Sequence, residues 1–197
     1  DKFISRIVVQ NEKETKSYDY KESTFQKAEI HRKQIEGSMV ILEYTIRVRN
    51  VGEVAGYVTS IKDYLPSGLE FSSELNSDWY ISGQDLYTKS LANERIEPGQ
   101  TREIKLILTK VMNENNVGLI NNRAEIVETY NEYGKIDIDS IANNQVKSED
   151  DLGAADVIIS ISTGGTIILY TVLVILNTRN VPTPRGSSQP IQLVCTI

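Results

Sequence analysis

Hydrophobic positions along this chain recur with a period of two rather than 3.6. Val40, Leu42, Tyr44, Ile46 and Val48 alternate with Ile41, Glu43, Thr45, Arg47 and Arg49, the pattern of a strand with one buried and one wet face. Ile61, Asp63 and Leu65 alternate with Lys62 and Tyr64, Ile104, Leu106 and Leu108 with Lys105 and Ile107, and Asn122, Ala124 and Ile126 with Arg123, Glu125 and Val127. Turn chemistry punctuates these runs at Asn50-Val51-Gly52, Pro66-Ser67-Gly68 and Pro98-Gly99-Gln100. Short strands separated by such turns predict an all-β chain folded as an antiparallel sandwich.

Several stretches depart from that pattern. Residues 10–24 carry Lys, Glu, Ser and Tyr with little periodicity, which reads as an exposed insertion between the first and second strands. The sandwich itself is expected over residues 1–133, followed by an acidic linker over 134–156, a β-prone stretch over 157–176 and an unstructured tail over 177–197. Asp137, Asp139, Glu149, Asp150 and Asp151 concentrate oxygens of the kind that bind calcium, but their spacing matches no EF-hand loop, and the solvated-linker reading prevails. Thr166 to Leu176 is uninterrupted by charge and shorter than the roughly 20 apolar residues of a spanning helix. It reads either as the start of a membrane anchor or, from its β-branched content, as one more buried strand. The chain starts at Asp1 rather than Met, as expected of a processed protein or a piece of a longer one.

Composition narrows the chemistry. At 197 residues, 40% hydrophobic and 24% charged, the chain has enough apolar material for one ordinary core. A net charge of −6 without a basic stripe argues against nucleic acid as a partner. The one cysteine, Cys195, rules out an intrachain disulfide and a Cys-based metal site, and the one histidine, His31, rules out a His cluster. No nucleophile elbow, Walker loop or dinucleotide fingerprint is present, so no cofactor and no metal is assigned. Two carboxylates across a cleft would suffice for a glycoside hydrolase, which stands as the remote enzymatic alternative. Trp79, Tyr80 and Tyr87 read as hairpin packing ahead of a ligand platform.

Lys2, Asp63 and Asn122 stand out, because each places an ionisable or amide group on the expected inward face of a different strand. Burying such groups is costly unless they satisfy one another. A buried neutral amine, a protonated carboxyl and a carboxamide are also the reactants for a Lys–Asn isopeptide bond. Apolar parity shifts between Ile4 and Ile7, so Lys2 faces inward only if a bulge intervenes. Asn122, unlike its neighbour Asn121, is in phase with Ala124 and Ile126. The plainer alternative is a solvated terminal lysine, an aspartate capping the Pro66 turn and a strand-edge amide.

The run Glu43-Tyr44-Thr45-Ile46-Arg47-Val48-Arg49-Asn50-Val51-Gly52, then Asp63-Tyr64-Leu65-Pro66-Ser67-Gly68-Leu69, then Asn122-Arg123-Ala124-Glu125-Ile126 resembles the immunoglobulin-like repeat domains of Gram-positive bacterial surface proteins. The resemblance spans about Lys2 to Tyr130. It implies an immunoglobulin-like antiparallel sandwich with a C-terminal extension, serving as a structural or adhesive module displayed outside the cell and anchored to wall or membrane. It also implies roles: Lys2 as nucleophile, Asn122 as electrophile and Asp63 as the assisting acid in a single-turnover self-modification, so the chain is not an enzyme in the usual sense. The competing function is a glycan- or protein-binding module that uses loops at one end of the sandwich. In either case the surface ligand is unspecified, and membrane association runs through Thr166 to Leu176.

Overall fold

The computed structural model describes residues 1–135, 141–146 and 149–163. Eleven strands account for most of them: β1 (Lys2–Gln10), β2 (Thr15–Ser23), β3 (Phe25–His31), β4 (Met39–Arg49), β5 (Tyr57–Tyr64), β6 (Glu70–Phe71), β7 (Trp79–Ser82), β8 (Asp85–Thr88), β9 (Thr101–Val111), β10 (Gly118–Tyr130) and β11 (Leu152–Ser162). They form two sheets, a five-stranded one in the order β2-β1-β4-β9-β6 and a six-stranded one in the order β3-β11-β10-β5-β8-β7. The fold is an all-β, immunoglobulin-like sandwich. Every pairing is antiparallel except β11 with β3, which run parallel.

The period-two runs face the core as their spacing predicts. Val40, Leu42, Tyr44, Ile46 and Val48 of β4 are all buried, as are Leu106 and Leu108 of β9 and Ile61 and Asp63 of β5. Residue pairs directly opposite across β4 and β9, such as Leu42 with Leu108 and Tyr44 with Leu106, set matching apolar side chains side by side on that face. On the wet face of β4, Glu43 is nevertheless covered, because Arg6, Lys105 and Ser5 all bind its carboxylate.

Two boundaries differ from the sequence-based expectation. Residues 10–24 are not an insertion: Thr15–Ser23 is strand β2, paired along β1 from Ile4 to Gln10. It lacks periodicity because it is an edge strand that is wet on both faces, and its lysines and glutamates suit an edge that must resist further pairing. The connecting turn is fixed by Asn11, whose Oδ1 accepts from the amides of Lys13 and Glu14 at 2.9 and 3.0 Å.

The second correction concerns the end of the sandwich. It does not close near Tyr133, and residues 152–156 are not linker: β11 begins at Leu152 and lies between β10 and β3. Its start is acidic because Asp156 points outward, where the Asn121 amide donates to it. The segment before β11 is clamped to the sheet, since the buried Glu125 carboxylate accepts from the backbone amides of Asn144 (2.7 Å) and Gln145 (3.0 Å) and from the Tyr64 hydroxyl. Residues 164–197, including the apolar run Thr166–Leu176 and the tail, lie outside the described residues. Among the described residues no helix is long and apolar enough to cross a membrane.

A chain ending at Tyr133 should therefore fail to fold cooperatively, because β10 and β3 would each lose a paired edge and Val157 and Ile159 would leave the core. A chain ending at Thr163 should keep a single sharp transition; thermal denaturation followed by circular dichroism compares the two.

Candidate functional site

Strand β1 changes phase midway. A register shift between Ile4 and Arg6 in its pairing with both β2 and β4 inserts the bulge that the parity break requires, so Lys2 and Ile4 face inward together with Ile7 and Val9. Lys2 is 1% exposed, and Asp63 and Asn122 are each 0% exposed. The structure thus brings the three residues to one corner, with Lys2 from one sheet and Asp63 and Asn122 from the other.

A lysine reaches across a sandwich only where the sheets, ordinarily about 10 Å apart, come close. Gly153 on β11 makes that approach. A Cβ at this position would stand 2.7 Å from the Lys2 amide nitrogen and 2.8 Å from the Asp1 carbonyl carbon, both backbone atoms with no freedom to yield. Gly153 pairs with Ala124, Ala124 with Asp63, and Asp63 with Leu86, so these residues form one row across β11, β10, β5 and β8. The Lys2 backbone lies on Gly153 and its Nζ contacts Asp63 Oδ2, so its side chain spans the Ala124 position, where the sheet raises only a methyl group. Asn122 borders that path on the same face of β10, beside Ala155.

Electrostatics in this corner are governed by desolvation. Burial is the largest influence on both ionisable groups, pulling the Lys2 amine below its ordinary range and pushing the Asp63 carboxyl above its own, against the attraction between them. Both shifts favour the neutral pair, with the shared proton on Asp63 and a free lone pair on Lys2. Asn122 neighbours Asp63 and Tyr44 closely enough to act on their ionisation, yet among the described residues neither its Oδ1 nor its Nδ2 closes a hydrogen bond. Asp63 Oδ1 and the Tyr44 hydroxyl are likewise without partners, while the Tyr44 ring lies 4.7 Å from Lys2 Nζ. A buried polar group left without a partner costs about 1–3 kcal/mol. Four such atoms, from Tyr44, Asp63 and Asn122, fall in this corner.

Neither Tyr44 nor Gly153 stands out in the sequence as part of this cluster. Tyr44 reads as one core residue among five on β4, its hydroxyl the only hint of something more, and Gly153 falls in the stretch read as linker. The other polar candidates have structural employment. His31 Nδ1 accepts from the Lys33 amide at 3.2 Å and caps the 3₁₀ turn Arg32–Gln34. Trp79 is buried and donates to the Lys105 carbonyl at 2.7 Å, and Tyr80 stacks on Tyr87. Two grooves on the outer face of the five-stranded sheet measure about 170 and 210 Å³. Both fall below the roughly 300–1,000 Å³ of a small-molecule site.

A second buried acid lies at the foot of β11. Both carboxylate oxygens of Asp151 lack partners among the described residues, and burial followed by the charges of Glu125, Glu149 and Asp150 raises its pKa to about 6. Among the described residues no three potential ligands converge to hold a metal ion.

No family model matches the chain, and no curated protein does. Among solved structures it is similar to the crystal structure of the Actinomyces fimbrial adhesin FimA, with 16% sequence identity and a TM-score of 0.34 over 62% of this chain and 49% of that one. This chain therefore aligns with about half the length of that protein. At such a score the two need share no more than layered β-strands, and the functional reading rests on the residues described above.

Two outcomes test this geometry. Gly153→Ala should destabilise the fold by about 1–3 kcal/mol in chemical denaturation, the ordinary cost of overpacking against backbone that cannot move aside. For Asp151, a raised folded pKa means that the native state holds a proton the unfolded chain lacks between the ordinary aspartate range and about 6. Stability should therefore rise as pH falls from about 7.5 to about 5, and Asp151→Asn should flatten that dependence in melting curves taken across the range.

Proposed function

We propose that this chain is a structural or adhesive module displayed on a bacterial cell surface and stapled internally by an isopeptide bond between Lys2 and Asn122. The observation that carries the proposal is a fully buried carboxamide without a hydrogen-bond partner among the described residues, beside an amine and a carboxyl whose burial drives both towards neutrality. A stability role alone does not favour such a cluster, since apolar side chains of similar volume would fill the same space without the desolvation cost. Bond formation removes that cost.

The chemistry follows from the protonation states. Neutral Lys2 Nζ attacks Asn122 Cγ, forming the new C–N bond while the carbonyl π pair moves onto Oδ1. Asp63 gives its proton to the departing nitrogen and takes one from the former lysine nitrogen, ending protonated as it began. The old C–N bond breaks and ammonia leaves. Fixed proximity in a water-free corner supplies most of the acceleration, and the reaction occurs once per chain.

A covalent link from β1 to β10 suits a load-bearing or exposed module. Force entering at the start of β1 would pass directly from Lys2 to Asn122, leaving residues 3–121 outside the load path. With a single cysteine in the chain, no intrachain disulfide can do this work.

Intact mass should show the chain lighter than its sequence by one ammonia, and digestion should yield a branched peptide joining Lys2 to Asn122. Lys2→Ala and Asn122→Ala should each restore the full mass, and Asp63→Ala should slow or abolish the loss. By analogy with a disulfide closing a loop of about 120 residues, preventing the bond should cost roughly 5 kcal/mol of stability. A full, unreduced mass for the native chain would leave only a non-covalent sandwich.

A further inference from the structure

Asp63 has one proton to give, and the departing nitrogen needs it. The oxyanion that forms on Asn122 Oδ1 when Lys2 attacks requires a second donor, because negative charge developing in a water-free corner is expensive unless a fixed dipole meets it. Lys2 cannot serve, since its nitrogen is the attacking atom. We propose that Tyr44 is a catalytic residue of the crosslinking reaction, its phenolic hydroxyl donating the hydrogen bond that holds the oxyanion on Asn122. The inference rests on the crosslinking reading above and adds a separate role to it.

Four observations support this assignment. Tyr44 is 0% exposed and its hydroxyl has no partner among the described residues, so the donor is uncommitted. Its ring lies 4.7 Å from Lys2 Nζ, placing it against the nucleophile. The Asn122 carboxamide draws the phenol's ionisation downward against the effect of burial, which places that side chain near the hydroxyl. Burial also pushes the phenol well above its ordinary range, so it stays protonated and remains a donor rather than a base.

Among the described residues the Tyr44 hydroxyl and the Asn122 carboxamide stand near each other without closing a full hydrogen bond. A donor that serves catalysis is aimed at the position the oxygen takes when the carbon becomes tetrahedral, not at its place in the planar amide. A bond made only in the transition state lowers the barrier, whereas one already made to the amide would stabilise the reactant as well. Tyr44 is held in place for this by its neighbours: its β4 backbone is fixed between Ile4 of β1 and Leu106 of β9.

The test times ammonia loss in the full chain made by cell-free synthesis, quenched at intervals and read by intact mass. Tyr44→Phe keeps the ring and removes the donor; it should react about 100- to 1,000-fold more slowly than the native chain. Comparing Asn122→Ala with the double variant Tyr44→Phe/Asn122→Ala, neither of which can crosslink, isolates the effect on folding. Equal melting temperatures there would assign the slow reaction to chemistry. Should the double variant melt lower, fluorinated tyrosines installed at position 44 alone retain the hydroxyl, and the rate should rise as the phenol becomes more acidic. A rate unchanged by Tyr44→Phe, or insensitive to phenol acidity, would overturn the role of Tyr44 and leave the crosslink standing. A native chain that never loses ammonia would instead overturn the crosslink itself.

Discussion

The backbone contact between Gly153 and Lys2 is the constraint on which the rest of this corner depends. Two sheets at the usual spacing would leave a lysine amine in the middle of an apolar layer with nothing to meet. Here β11 approaches β1 until no side chain fits between them. Ala124 next along the row and Ala155 beside Asn122 keep the neighbourhood low. The lysine stem then lies along the six-stranded sheet and delivers Nζ to Asp63. Farther along β11 the inward residues enlarge to Val157 and Ile159, and the core resumes ordinary apolar packing.

That approach decides the electrostatics. A surface Lys–Asp pair would be charged on both sides, screened by water and worth little. Enclosed as they are, Lys2 and Asp63 are each moved more by loss of water than by attraction to the other, and both shifts favour the neutral pair. The same enclosure shields Asn122 and Tyr44 from bulk solvent. A buried amine, carboxyl, carboxamide and phenol are thus gathered by one packing event, and no strong local motif is needed to place them.

Part of the stretch before β11 is tied to the six-stranded sheet. Glu125, on the outer face of β10, gathers the Tyr64 hydroxyl and two loop amides, tying residues 144 and 145 down just before the chain enters β11. This anchor helps bring Gly153 into register with Ala124. The sandwich is therefore completed by a strand far along the chain, and the corner holding Lys2 exists only once that strand has docked.

The sequence by itself determined the strands whose two faces differ in solvent exposure, because burial on one side imposes a period of two on residues such as Val40 to Val48. It also determined that Asn122 rather than Asn121 faces the core, and that Lys2 could do so only through a bulge. Strand β2 was not legible, since an edge wet on both faces carries no such period, and β11 was obscured by the acidic residues around its start. The placements of Gly153 against the Lys2 backbone and of Tyr44 against the Lys2 amine were decided by tertiary structure alone. A glycine between Leu152 and Ala154 looks like any flexible residue until another backbone lies on it, and a core tyrosine looks like any apolar one until its hydroxyl is buried with no partner among the described residues.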